Sequence, residues 1–202
     1  MAPRPAPHPE PPADLAARAL PLREGAGPWY RLHAAGREAL HFGRSGNNRF
    51  DAPAGEFGVL YAGEDLRCAF VETFGQATGV RIVTVSALRG RNLVLVRAER
   101  PLRLVDLSGP GLARLGADAR LCAGEYSLAR RWALALWSHP AAPDGLLYRA
   151  RHDPSRTAVA IFDRAGDALR VESQGDLLEP RHALALASVL DAYDFGLVDD
   201  SP

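Results

Sequence analysis

A chain of 202 residues with 24 basic and 24 acidic side chains has no net charge, which excludes a global field drawing it to nucleic acid or to an anionic membrane. Its apolar fraction of 47% is that of an ordinary globular protein, and its length suits one domain with a full core. Every basic side chain is an arginine, which reads as genome base composition, so a bound anion would have to be held by local arginines.

Residues 1–12 are rich in proline, which fixes φ and removes a backbone donor, so a loose arm is expected there. The stretch ADLAARALPL from Ala13 has the makings of a short helix ended by Pro21, and residues 1–24 are set apart from a domain over 25–202. No apolar segment follows the first charges and no run is long enough to span a bilayer, so a cytoplasmic protein is expected. Trp29 to His33 suits a first strand, with Arg31 either pointing into a cleft or lying on an exposed face.

The stretch from His41 to Gly75 carries the most chemistry. Asn47, Asn48 and Arg49 form a polar loop suited to gripping something polar, followed by Phe50. Val59 to Ala62 is a short β-prone run with Tyr61 near its end. Helical spacing begins at Asp65, a plausible N-cap, with Leu66, Ala69, Phe70 and Thr73 as the inner stripe. Glu72 falls on or beside that stripe, where a carboxylate must be paired, hydrogen-bonded or used. Cys68, one turn earlier, reads first as a small buried filler. With Cys122 it offers neither CxxC nor Cys/His spacing, so no metal site and no disulfide framework is expected.

Downstream, Val80 to Leu88 and Asn92 to Val96 read as β-rich runs joined by a tight turn at Arg89 to Arg91, and Pro101 to Asp106 as a further strand. Leu107 to Gly124 reads as loop plus short helix, with Gly109-Pro110-Gly111 a loop and no phosphate cradle. Tyr126 to His139 is a core helix with Leu128, Trp132, Ala135 and Leu136 at helical intervals and Ser127 as its N-cap. Leu146 to Tyr148 is a strand leading to Asp153, and Thr157 to Asp163 has the apolar run of a central strand. Ala168 to Glu172 reads as an added edge strand, and Pro180 to Tyr193 as a regular apolar helix. Asp106, Asp163 and Glu172 read as strand-end or surface acids.

Trp29-Tyr30-Arg31, Asn48-Arg49-Phe50, Gly58-Val59-Leu60-Tyr61, the helix bearing Glu72 and the run LLYRARHDPSRTAVAIFD stand in the order found in the RES-domain family, which this chain resembles from about Trp29 to Asp163. The resemblance implies a single α/β domain of the α+β type, with a mixed or antiparallel split sheet and flanking helices, similar to ADP-ribosyltransferases. It implies a toxin that degrades NAD, held by a helix-turn-helix antitoxin. NAD would be the substrate, cleaved at the nicotinamide–ribose bond with water or inorganic phosphate as acceptor, and no direct nucleic-acid binding is implied. Transfer of ADP-ribose to a protein, or binding of NAD or a partner without chemistry, are the rival readings.

For such a ligand Arg31, and next Arg49, would hold the pyrophosphate with a planar charged fork. Tyr61 would stack on the nicotinamide end, with Phe50 or Tyr30 as a second wall and Asn48 at the polar rim. Glu72 would stabilise an oxocarbenium-like ribose and hold a hydroxyl. The chain departs from the family at Ala150, which stands where the resemblance puts a serine. It is either a member that manages without the hydroxyl, an inactivated form, or a register shift in which Ser155 or Ser127 stands in.

Overall fold

The computed structural model describes residues 8–200, so the first seven residues of the proline-rich arm lie outside the description. In chain order the elements are β1 (Leu22–Gly25), β2 (Trp29–Ala34), β3 (Val59–Gly63), α1 (Leu66–Phe74), β4 (Ile82–Thr84), α2 (Val85–Arg89), β5 (Arg91–Ala98) and β6 (Leu102–Leu107). Then come α3 (Pro110–Leu115), α4 (Arg120–Ala123), α5 (Tyr126–Trp137), β7 (Gly145–Arg149), β8 (Thr157–Phe162), β9 (Leu169–Gly175), α6 (Ala183–Ala192) and β10 (Gly196–Val198). Eight strands form one mixed sheet in the order β1-β6-β7-β8-β3-β2-β5-β9, in which only β6 and β7 run parallel; β4 and β10 pair separately.

The apolar run of β8 explains its central place. Strand side chains alternate between faces, so Ala158, Ala160 and Phe162 enter one core with Trp132 and Leu136 of α5, while Val159 and Ile161 enter a second with Trp29, Leu60 and Val96. A third cluster packs α1 and α6 together through Phe70, Leu186 and Val189. α5 buries Ala129, Trp132, Ala133 and Leu136, the i, i+3, i+4, i+7 stripe, while Leu128 and Ala135 lie at its margin.

The split expected in the sheet falls between β2 and β3. The two strands are paired at Tyr30 opposite Gly63 and diverge from there, whereas β2 keeps six paired positions with β5 on its other side. Gly63 sits where α1 crosses closest. A Cβ there would lie 2.7 Å from Cys68 Cβ and 2.9 Å from the Ala69 nitrogen.

Several expectations are corrected. The stretch from Ala13 forms only a 3-10 turn, Leu15–Ala17, and β1 follows as an edge strand of exposed residues that offers no apolar alternation to read. Val80 to Leu88 is strand for three residues only. The Thr84 hydroxyl then accepts from the Ala87 N–H and caps α2. Pro110 and Gly111 open α3 rather than a loop, and a Cβ at Gly111 would meet the Asp106 carbonyl oxygen at 1.9 Å. Ser127 lies inside α5, whose N-cap is Glu125 with no side-chain cap bond.

The arm is not loose over its described part. Trp132 Nε1 donates to the Pro9 carbonyl at 2.9 Å, and Arg131 binds Glu10 through two bonds of 2.6 and 2.7 Å. The indole N–H of a fully buried tryptophan needs an acceptor, and the proline segment supplies a carbonyl that no ladder uses.

The close approach at Gly63 makes Gly63→Ala a stability test. The methyl must displace the first turn of α1, so urea unfolding should show a loss of about 1–3 kcal/mol, the usual range for overpacking.

Candidate active site

The loop between β2 and β3 is organised by Asp51, a fully buried carboxylate. It accepts from the Tyr61 hydroxyl at 3.0 Å, from the Asn48 backbone N–H at 3.0 Å, from Asn48 Nδ2 at 3.1 Å and from the Ser45 hydroxyl at 3.3 Å. The Tyr61 oxygen in turn accepts from the Phe50 N–H at 3.0 Å. Burial pushes the Tyr61 phenol well above its ordinary pKa and the Asp51 charge adds to this, so the proton stays on the phenol. A second carboxylate, Asp163, accepts from the Gly58 N–H at 2.8 Å and pairs with Arg44, which also donates to the Gly55 carbonyl at 2.6 Å. Asp163 is thus the strand-end acid of the two alternatives, standing just after β8, and it anchors the loop.

Arg31 leaves β2 toward the divergence of the sheet. Its Nε donates to the Ala39 carbonyl at 3.0 Å, Nη1 to the Tyr61 carbonyl at 2.8 Å and Nη2 to the His41 carbonyl at 3.4 Å. The guanidinium thus bridges strands that the ladder no longer joins, and the exposed-face alternative is set aside. Burial, with Arg91 adding, lowers its pKa to about 10, which leaves it charged at neutral pH.

Glu72 sits on the second turn of α1, a helix fixed at its start by the Asp65 carboxylate accepting from the Cys68 N–H at 2.8 Å. Glu72 Oε1 accepts from the His152 backbone N–H at 2.9 Å, which ties α1 to the loop after β7. No other bond to the carboxylate occurs among the described residues, so one oxygen is held and the other is free. His152 is lowered by burial and raised by Glu72, with burial prevailing.

Arg31, Tyr61, Glu72, Arg49, Tyr30 and Asn48 all line one open cavity of about 830 Å³, a size common for small-molecule sites. His41, Arg151, His152 and Tyr126 line it too. Of these, Arg151 and Tyr126 were not singled out for the site: Arg151 stands in the matching run without a role of its own, Tyr126 stands in no motif, and only the packing of α5 against the loop after β7 brings them together.

Two candidate residues do not face it. Phe50 is fully buried, packed edge-on against Tyr148 at 4.8 Å, so it is a core residue and no wall of the cavity. Ala150, 1% exposed, packs in the core, and its N–H donates to the Arg156 carbonyl at 3.0 Å. The stand-ins fail as well. Ser127 is exposed on α5, and the Ser155 hydroxyl is spent on Asp153 at 2.5 Å; neither lines the cavity. Cys68 and Cys122 are buried fillers, and burial pushes their thiols up to about 12 and about 11. Among the described residues no cluster of three metal-binding side chains forms, and no helix is long and apolar enough to cross a membrane.

The RES domain family model matches residues 28–185. A relative named as the probable toxin y4kH of Sinorhizobium fredii (strain NBRC 101917 / NGR234) is 32% identical over 117 residues, covering 57% of this chain and 90% of that protein. A chain of the M. tuberculosis MbcT–MbcA toxin–antitoxin complex superposes with a TM-score of 0.62 at 20% identity, over 85% of this chain and 92% of that one. The likeness shows a shared fold, the single α/β domain with a mixed sheet and flanking helices that was expected.

Two outcomes test this geometry. Asp51→Ala strands the Tyr61 and Asn48 donors in the interior, and thermal or urea unfolding should register about 1–3 kcal/mol for each donor left without a partner. At pH 8 both thiols are protonated and enclosed, so a thiol-specific chromogenic reagent should label neither cysteine of the native protein and both after denaturation.

Proposed function

Because the chain belongs to the RES domain family, we propose that it is the toxin of a toxin–antitoxin pair and acts by cleaving the nicotinamide–ribose bond of NAD, with water or inorganic phosphate as acceptor. The observation that carries this reading is that Arg31, Tyr61 and Glu72, far apart in the chain, line one cavity.

Glu72 has the form the chemistry needs. Its held oxygen fixes the carboxylate, and its free oxygen is left to take a ribose hydroxyl and to face the positive charge that grows as the bond breaks. The C1′–N bond breaks with its electron pair going to nicotinamide, which leaves neutral. An oxygen of water or phosphate then bonds to C1′, and the proton of water is released to solvent. The Tyr61 ring offers an aromatic face to the nicotinamide end, while its hydroxyl stays with Asp51. Arg31 already spends three donors on carbonyls, so its part in holding the pyrophosphate falls to the remaining N–H groups and to its charge. Arg49, Tyr30 and Asn48 complete the substrate wall. A partner antitoxin, of the helix-turn-helix kind the family resemblance implies, is proposed to cover this cavity.

A second reading, that the protein binds NAD without turning it over, has one observation in its favour. Ala150 places a buried methyl where a hydroxyl donor would stand.

Incubating the purified protein with NAD, with and without phosphate, and measuring nicotinamide separates these readings. Turnover is expected, and Glu72→Gln should lower it by about a hundredfold or more while leaving the far-ultraviolet circular dichroism unchanged, the scale of losing an electrostatic stabiliser. Nicotinamide release that survives in Glu72→Gln removes Glu72 from the chemistry.

A further inference from the structure

Three arginines stand around the ring of Tyr126, at the first turn of α5. The guanidinium carbons of Arg49, Arg130 and Arg151 lie 4.5, 5.6 and 5.9 Å from its centroid. None of the three forms an ion pair with a carboxylate among the described residues. Arg49 is 6% exposed; its Nη1 donates to the Gly124 carbonyl at 2.8 Å, and its Nη2 is buried with no partner. Arg151 Nη1 donates to the Tyr126 hydroxyl at 3.2 Å, and Arg130 Nε donates to the Asn48 carbonyl at 3.1 Å.

A buried cationic donor without an acceptor is costly, and like charges gathered about one ring repel each other. The ring face offsets part of that repulsion and supplies no acceptor for Nη2. Arg49, Arg151 and Tyr126 line the cavity, so the unpartnered donor belongs to a side chain at its wall. Several forks spread around one point suit a tetrahedral oxyanion with more than one charge better than a single planar carboxylate.

We infer that Arg49, Arg151 and the Tyr126 hydroxyl form a phosphate-class oxyanion subsite at the α5 end of the cavity, with Arg130 adding positive field from its rim. The Tyr126 hydroxyl accepts from Arg151, which leaves its own proton to donate to the anion and to supply the kind of contact that Ala150 lacks. The subsite rests on the NAD reading only for the source of the anion, a free phosphate or the phosphates of a nucleotide.

Calorimetric titration of the full chain with inorganic phosphate and, separately, with ADP tests the subsite in wild type, Arg151→Gln and Arg49→Gln. Arg164→Gln, whose guanidinium lies over Trp137 and outside the cavity, is the charge-matched control. Arg151→Gln should weaken anion binding about tenfold, the loss of one charge-assisted contact, and the control should not. Arg151 is exposed, so its variant decides the question even where Arg49→Gln does not fold. A loss confined to inorganic phosphate identifies free phosphate as the ligand, and a loss seen with ADP identifies nucleotide phosphates. Unchanged affinity for both anions in Arg151→Gln, or binding of neither by the wild type, overturns the subsite. Arg151-dependent anion binding in a protein that releases no nicotinamide leaves the subsite standing and removes the reading that NAD is cleaved.

Discussion

The cavity exists because β2 and β3 part company. Beyond the pair Tyr30–Gly63 no ladder joins them, and the exposed backbone that such a parting leaves must find partners. Arg31 provides them, donating to carbonyls on β3 and on the loop after β2. A guanidinium suits this because its fork is planar and it keeps its charge when buried. The parting is thereby a stable feature of the sheet, and the concave surface it opens receives Tyr61 from one strand, Tyr30 from the other and Glu72 from the helix packed over Gly63.

Much of this was legible from local pattern. The apolar run at Thr157 to Phe162 announces a strand covered on both faces, and Asp65 followed by helical spacing announces α1. Glu72 stood out because a carboxylate beside an apolar stripe needs a reason, and the His152 N–H is part of that reason. What stayed hidden depends on contacts distant in sequence. Asp51 looks like any loop acid until Tyr61 meets it, and Asp163 like a strand-end acid until Arg44 and the Gly58 N–H do. Phe50 misled because an aromatic beside a polar loop fits a ligand wall as well as a core, and only its contact with Tyr148 decides. β1 and β10 were invisible because short strands with exposed residues carry no period-2 signal.

Two roles thus meet in single side chains. Tyr61 offers its ring to the cavity and its hydroxyl to the loop, and Glu72 offers one oxygen to the backbone and one to the open space. Groups held in this way need little rearrangement to receive a ligand, which is how electrostatic stabilisation avoids a reorganisation cost. The arginines about Tyr126 differ from both, since one of them retains a buried donor that the protein itself does not engage.

The pairing order of the sheet also bears on when the molecule becomes competent during synthesis. β3 takes its second neighbour from β8, about a hundred residues further along, and the peptide that anchors Glu72 follows β7. Helices formed early on the ribosome would have no central strand to rest on until that late segment emerges. A nascent or prematurely terminated chain ending short of Thr157 therefore lacks the central strand against which the cleft is built, so the cleft is confined to finished molecules.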